Sequence, residues 1–286
     1  MSGARPGRID AHHHLWDVTR RDYPWLDDPA CAPIRRTFAL DDLTPLLDRS
    51  GVAQTVVVQA VDIAEETADL LETADGPGVV AGVVGWVDLT KGDVGDRITA
   101  LRAGTGGARL VGFRHGVQGE PDPDWLCRPE VRRGLGAVAD AGLVYDLLTL
   151  PGQLPAAVRT VIDQPDLRFV VDHLSKPPIA SGDREPWETR IRALAAQDNV
   201  VCKLSGMVTE ADRGAWTVDD LRPYADVVLD AFGPERLMFG SDWPVCTLAA
   251  PYDRVMAAAE DLTGQLSETE RAAVFGDTAR RVYRLA

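Results

Sequence analysis

Short apolar, β-branched runs alternate with amphipathic helical stretches along the chain. This alternation predicts an α/β protein, namely a distorted (β/α)8 (TIM) barrel with extra C-terminal helices. The eight candidate strands lie near residues 8–14, 55–61, 79–87, 110–117, 143–148, 169–173, 200–204 and 237–242. Several are apolar at both odd and even positions, as strands buried on both faces are. We therefore expect residues 1–286 to form a single barrel domain.

Helical patterns fill the gaps between these strands, as a barrel requires. They cover residues 41–49, 63–74, 93–102, 130–141, 154–163, 187–196 and 219–232, and two more follow the last strand at 252–262 and 268–285. The last one opens with Ser267-Glu268-Thr269-Glu270, which is a capping-box pattern. An open, doubly wound sheet is the alternative, but no GxGxxG motif follows an early strand, so a dinucleotide-binding fold has little support.

One irregular stretch, residues 17–37, separates the first strand from the first helix and contains aromatic residues, prolines and two arginine pairs. An insertion at this point of a barrel lies over the catalytic face. We expect it to act as a lid that brings Tyr23 and Trp25 to a substrate. The alternative is that both rings only fix the loop to the barrel rim.

Composition restricts the partners and the compartment. The 30 basic and 44 acidic residues give a net charge of −14, which argues against nucleic acid or an anionic membrane as a partner. The four cysteines are scattered, which fits reduced thiols, and no apolar run approaches the roughly 18–20 residues that span a bilayer. The N-terminal residues lack the apolar core of a signal peptide. We expect a cytoplasmic protein with a small-molecule substrate; the sequence leaves the oligomeric state open.

The first strand ends in three consecutive histidines, His12, His13 and His14. Because side chains alternate along a strand, we expect Asp10, His12 and His14 to share one direction and Ala11 and His13 to take the other. Two imidazoles on one strand face can converge on a point about 2 Å from each ring nitrogen. Such a pair is suited to binding a metal ion or polarising a carbonyl.

All five histidines fall at predicted strand ends, where a barrel has its active site: the three above, His115 and His173. Asp242 ends the eighth strand, and a carboxylate beside imidazoles can act as a general base toward water or as a metal ligand. No GxSxG motif is present, so water is the expected nucleophile rather than a serine.

Cationic and amide side chains occur at the same strand ends. Arg114 is predicted to bind substrate, although an ion pair with Asp172 or Asp146 is the alternative. For Lys176 and Lys203, and for Gln59 after strand two, substrate-binding and structural roles are equally open. The aspartates at positions 10, 146 and 172 are candidates for orienting the histidines.

Six segments together resemble one known family. IDAHHHLWD with YPWL behind it, GFRHGVQ, VVDHLSKP, CKLSGM and LMFGSDWPVC are similar to the lactonase branch of the amidohydrolase superfamily, and the similarity covers nearly the whole chain. The branch includes L-fuconolactonases, L-rhamnono-lactonases and 2-pyrone-4,6-dicarboxylate lactonases. The resemblance implies a TIM-like barrel that opens a lactone ring with activated water.

The resemblance also implies roles for individual residues. His12, His14 and His173 would be the site imidazoles, and Asp242 would be the base that takes a proton from water. The residues that would line the substrate pocket are Arg114, His115, Trp16 and Trp243.

No lysine ends strand four to be carboxylated between two metals, so a two-metal site is not expected. One divalent cation, zinc, held by His12, His14, His173 and Asp242 is compatible with the resemblance, and so is a metal-free site. Of the two, we expect no obligatory metal.

Two further functions compete with lactone hydrolysis. The same barrel and imidazoles serve zinc-dependent decarboxylases of aromatic or enol acids in neighbouring families. A non-catalytic binding protein on an inherited barrel is the third hypothesis.

Overall fold

Eight parallel strands form one sheet, and their order in the sheet follows their order in the chain. The structure is a computed structural model that describes residues 7–76 and 78–286. The strands are β1 (Arg8–His13), β2 (Val52–Val58), β3 (Val80–Gly85), β4 (Leu110–His115), β5 (Val144–Leu147), β6 (Arg168–Val171), β7 (Val200–Leu204) and β8 (Leu237–Phe239). This arrangement confirms the predicted (β/α)8 class.

The sheet curls until its first and last strands meet. Beyond the end of β8, His13 pairs with Trp243 in a parallel bridge. The backbone N–H of Asp242 donates to His12 O at 2.8 Å, and that of His14 donates to Trp243 O at 2.7 Å. These bonds place the residues that follow β8 directly beside the histidines that end β1.

Helices connect the strands and cover the outside of the sheet. They are α1 (Leu40–Ser50), α2 (Ala64–Ala74), α3 (Val94–Ala103), α4 (Pro129–Asp140), α5 (Leu154–Asp163), α6 (Trp187–Ala195), α7 (Met207–Glu210), α8 (Val218–Phe232), α9 (Tyr252–Leu262), α10 (Glu268–Ala272) and α11 (Thr278–Tyr283). The predicted helix over 268–285 is not continuous, because a π-helical turn, Ala273–Asp277, separates α10 from α11. Residues 17–37 form no long element and contain two 3₁₀ turns, Pro24–Asp27 and Pro29–Ile34.

Two buried apolar clusters lie on the two faces of the sheet. The larger one joins the helices to the outward-facing strand residues. The smaller one takes alternate residues from the strands, among them Val56, Val170 and Met238, and adds Val282 and Tyr283 of α11. The inside of the barrel is therefore filled by side chains, and the C-terminal helix contributes to that filling.

The predicted alternation along β1 is correct for the histidines and wrong for Asp10 and Ala11. Ala11 belongs to the inner cluster, whereas Asp10 accepts a hydrogen bond from the hydroxyl of Tyr252 on α9 at 3.1 Å. The cause is an irregularity in the pairing with β2 between Asp10 and His13. A bulge of this kind inserts an extra residue and reverses the direction of the side chains beyond it.

Among the described residues, none of the helices combines the length and the hydropathy that a membrane span requires.

Candidate active site

Three imidazoles and one carboxylate meet at the C-terminal end of the barrel. The Nε2 atoms of His12, His14 and His173 lie 3.7, 3.4 and 3.7 Å from Asp242 Oδ1. The Nε2 atoms of His12 and His14 are 3.1 Å apart. All four residues are at most 5% exposed. Residues separated by up to 230 positions therefore form one cluster, which we call the His–Asp cluster.

Asp242 is not on a strand, because β8 ends three residues earlier, at Phe239. Its φ of 58° is in the left-handed region, which non-glycine residues rarely adopt. Asp10 supports this turn by accepting a hydrogen bond from the Ser241 N–H at 2.8 Å. The described contacts of Asp10 thus place it as a support for the Asp242 loop rather than for an imidazole ring.

His173 begins an unusual turn after β6. The four residues from His173 to Lys176 have φ values of 52°, 54°, 55° and 51°. Such conformations persist only where surrounding contacts hold them. Here Trp187 Nε1 donates to Leu174 O at 2.7 Å, and the hydroxyls of Thr149 and Ser175 lie 2.8 Å apart. The turn directs both His173 and Lys176 toward the same cavity.

Gly206 allows the His173 ring to occupy its position. A Cβ atom on Gly206 would lie 2.6 Å from His173 Cγ, closer than real Cβ contacts come. The φ of Gly206, 65°, is also one that side chains disfavour.

The second ring nitrogens determine which way each imidazole presents its lone pair. His14 Nδ1 lies 2.8 Å from Val58 O, and since a carbonyl only accepts, Nδ1 is the donor. A neutral His14 then has a lone pair on Nε2, facing Asp242. His173 Nδ1 lies 2.8 Å from Ser205 Oγ, which leaves its Nε2 toward the same carboxylate.

His12 rests on a buried ionic group inside the barrel. Its Nδ1 lies 3.3 Å from Asp172 Oδ1 and 3.1 Å from Lys203 Nζ. Lys203 also contacts Asp146 and Asp172, at 2.5 and 3.0 Å, and Arg114 pairs with Asp172 at 3.0 Å. Two cations and two carboxylates thus balance beneath the His–Asp cluster, and Lys203, whose ammonium can only donate, is the donor in its contact with His12 Nδ1.

Burial and charge fix the protonation states of the cluster. Burial lowers the pKa of His173 to about 4 and holds that of His12 well below its ordinary value. Burial works against ionisation of Asp242, but the neighbouring imidazoles, His173 first, outweigh it and keep the pKa below its ordinary value. At neutral pH, Asp242 is therefore a carboxylate facing the neutral rings of His12 and His173.

A cavity of about 260 Å³ opens above the cluster, slightly below the usual size range of pockets for drug-sized ligands. Six of the sequence-predicted residues line it: His14, Trp25, Gln59, His173, Lys176 and Asp242. The cavity is thus bounded on one side by Asp242 and two of the imidazoles.

Other predicted binding residues lie outside the cavity lining. Arg114 is 4% exposed and is committed to Asp172 and Gln59, which is the alternative considered from the sequence. His115 stacks on Trp125 with centroids 4.2 Å apart. The tryptophans at positions 16 and 243 are each 3% exposed and pack on Phe38, and the Tyr23 ring lies near that of Trp16.

Sequence reasoning did not select the other residues of the cavity wall, which include Asp62, Gln118, Leu148 and Val245. Each follows the end of a strand by one to six residues, at β2, β4, β5 and β8. Position after a strand was the available signal, but such loops contain many residues and no side-chain chemistry singled these out.

The donor atoms of the cluster fit a divalent cation. Those of His12, His173 and Asp242 all lie within 4.8 Å of one another, and His14 Nε2 is close to two of these residues. Tetrahedral zinc with bonds of about 2.0–2.1 Å requires ligand atoms about 3.3 Å apart. Four of the six separations among the donor atoms, from Asp242 Oδ1 to each imidazole and between His12 and His14, are 3.1–3.7 Å and bracket that value. Neutral imidazole and carboxylate are also the ligand types that zinc uses.

Known proteins with a similar sequence share this architecture. The chain is 41% identical over 290 residues to L-fucono-1,5-lactonase of Burkholderia multivorans, covering 97% of this chain and 96% of that protein. A crystal structure of an amidohydrolase from Burkholderia multivorans with bound Zn superposes with a TM-score of 0.92 at 40% identity, covering 98% and 99% of the two chains.

A 2,6-dihydroxybenzoate decarboxylase from Rhizobium is a more distant neighbour. Its TM-score is 0.64 and its identity 16%, with 97% of this chain and 98% of that chain covered. At this identity the similarity shows a common fold only.

The model of the Amidohydrolase family matches residues 9–285, which include every residue of the His–Asp cluster. The chain therefore belongs to the amidohydrolase family.

Proposed function

We propose that this protein hydrolyses a sugar lactone, with Asp242 as the base that activates water. The observation that supports this most is the ionised Asp242 carboxylate facing three imidazoles at the base of a small cavity. A lactonase relative at 41% identity over almost the whole chain supports the choice of substrate class. L-Fucono-1,5-lactone is accordingly the first substrate to test.

We further propose that the cluster holds one divalent cation, with zinc the first candidate. His14 donates its Nδ1–H to Val58 O, so this hydrogen is not available to a substrate carbonyl. The Nε2 atoms of His12 and His14 lie 3.1 Å apart with the Asp242 carboxylate beside them, so a cation between them would be within reach of all three groups. This proposal replaces the sequence-based expectation of no obligatory metal.

The chain's own residues account for the proton transfers. Asp242 accepts a proton from water as the water oxygen forms a bond to the lactone carbonyl carbon. The bond between that carbon and the ring oxygen then breaks, and the leaving alkoxide takes the proton from Asp242. When bound, a divalent cation would supply positive charge that polarises the carbonyl and lowers the pKa of the attacking water. The acid product ionises and releases one proton per turnover.

A pH-indicator assay with a panel of aldonolactones tests the proposal. We expect proton release with at least one 1,5-lactone and a fall of roughly 10²–10⁴-fold in turnover for Asp242→Asn. Lys176→Met changes a residue of the same cavity without removing the base and should have a much smaller effect. A loss below tenfold for Asp242→Asn would remove that residue from the role of base.

Product analysis separates hydrolysis from decarboxylation. Lactone opening releases a proton without carbon dioxide, whereas a decarboxylase releases carbon dioxide from an aromatic or enol acid. Carbon dioxide production with no activity on any lactone would overturn the proposed function.

A further inference from the structure

Asp62 contributes a second carboxylate to the cavity wall besides Asp242. It follows β2, and its side chain is 35% exposed. Lys176 is the only Lys or Arg among the described residues that line the cavity, and its Nζ lies 3.5 Å from Glu210. The lining thus offers more negative than positive side-chain charge.

Two donors hold the Asp62 carboxylate in place. Gln59 Nε2 donates to Oδ1 at 2.7 Å, and the Gly116 N–H lies 3.3 and 3.2 Å from the two carboxylate oxygens. Gln59 itself has no hydrogen left for a substrate, because Nε2 also donates to Arg114 O at 3.3 Å and Oε1 accepts from Arg114 Nη2 at 3.1 Å. Gln59 therefore positions Asp62.

Asp62 retains capacity to accept further hydrogen bonds. A carboxylate has about four acceptor positions, and the two described donors leave some of them open toward the cavity. His115 Nδ1 lies 3.3 Å from Asp62 Oδ2, but Nδ1 accepts the Trp86 indole N–H at 3.0 Å and has no hydrogen to donate. Among the described residues, no lysine or arginine nitrogen forms an ion pair with Asp62.

We propose that Asp62 binds a ring hydroxyl of the substrate and selects neutral, polyhydroxylated lactones over carboxylated ones. This inference rests on the proposed lactonase function and specifies its substrate class. A hydroxyl donating to a carboxylate forms a strong, charge-assisted hydrogen bond. A site built for such a hydroxyl discriminates strongly against analogues that lack it, because its polar group is then left unpaired. The same negative charge repels a substrate carboxylate.

Asp62→Asn is the sharpest test because it removes the charge and keeps the shape. The amide oxygen can still accept from Gln59 and Gly116, and the amide NH2 can face His115 Nδ1. Asp88→Asn is the matched control: Asp88 has 32% side-chain exposure, is held by Thr90, and does not line the cavity.

The substrates are an aldono-1,5-lactone, δ-valerolactone and 2-pyrone-4,6-dicarboxylate. For Asp62→Asn we expect kcat/KM on the aldonolactone to fall roughly 10- to 100-fold, mostly through KM. Activity on δ-valerolactone, which has the same ring without hydroxyls, should be unchanged, and inhibition by the dicarboxylate should become stronger. Asp88→Asn should match the wild type throughout. Equal losses on the aldonolactone and δ-valerolactone, or no loss on either, would overturn the inference.

Direct binding separates this inference from the proposed function. Calorimetry with the aldonolactone in an Asp242→Asn background, with and without Asp62→Asn, measures affinity without turnover. If the wild type hydrolyses no lactone but binding still depends on Asp62, only the proposed function fails. If the lactone is hydrolysed and Asp62→Asn leaves its affinity unchanged, only the present inference fails. If the lactone neither reacts nor binds, both fail.

Discussion

Replacing Lys203 with methionine should destabilise the protein by several kilocalories per mole. Lys203 is fully buried, and its Nζ lies within 3.1 Å of Asp146, Asp172 and His12 Nδ1. Arg114 is the other cation of the group, and of the two carboxylates it pairs with Asp172. Lys203→Met therefore leaves Asp146 without a cation in the barrel interior.

Removing one partner of a buried ion pair costs about 3–5 kcal/mol, because the remaining charge stays desolvated. This is a large part of the roughly 5–15 kcal/mol that stabilises a typical protein. In a thermal unfolding scan, the melting temperature should fall by roughly 6–15 °C. Burial already raises the pKa of Asp146 to about 6, although the positive charge of Lys203 acts to lower it. Without that charge the carboxyl should take up a proton more readily, so the loss should be smaller in acid.

Two further variants make the reasoning refutable. Lys203→Met combined with Asp146→Asn removes one charge of each sign and should recover a substantial part of the stability. Lys176→Met changes a lysine whose side chain is 25% exposed and should cost less than about 1 kcal/mol, as exposed ion pairs do. A Lys203→Met protein as stable as Lys176→Met, or a double variant no better than the single one, would show that the buried charges are not coupled as the contacts imply.

Gly206→Ala should lower turnover as well as stability, because its Cβ would meet the His173 ring at 2.6 Å. Gly51→Ala is the control, since it has φ 64° but nothing within 4 Å, and it should cost only about 1–2 kcal/mol with activity intact. Glu66→Gln should increase stability above neutral pH, because burial raises the pKa of Glu66 to about 7. The folded wild type therefore binds a proton that the unfolded chain has already released, and its stability declines as the pH rises from about 4.5 to 7. The difference in melting temperature between Glu66→Gln and the wild type should therefore grow between pH 5 and pH 8. The corresponding change in the free energy of unfolding is at most about 3 kcal/mol. A difference that stays constant with pH would contradict this reasoning. Removing bound metal with a chelator should abolish lactone opening and zinc should restore it; full activity in protein shown to be metal-free by elemental analysis would exclude the cation.

The fold class and the core of the site follow from local sequence. Parallel strands that are buried on both faces need apolar residues at both odd and even positions, and the sequences of β2, β3 and β7 show this pattern. The His12 and His14 pair and Asp242 were also selected from the sequence, because barrels place their chemistry at strand ends. The structure brings them within 3.7 Å of one another.

Tertiary structure decided what depends on contacts between distant segments. The pairing of β1 with β2 introduces the bulge that turns Asp10 away from the histidines. The alternation rule considers one strand by itself, so it does not predict a bulge that depends on the neighbouring strand. Arg114 is held by Asp172 and Gln59 rather than lining the cavity, because the barrel interior needs its charge to balance two buried carboxylates. Asp62 is held in the cavity wall by Gln59 and Gly116, which are more than 50 residues apart and both donate hydrogen bonds to its carboxylate. Local sequence specifies which residues can do chemistry, whereas the closing of the barrel determines which of their polar atoms remain free for a substrate.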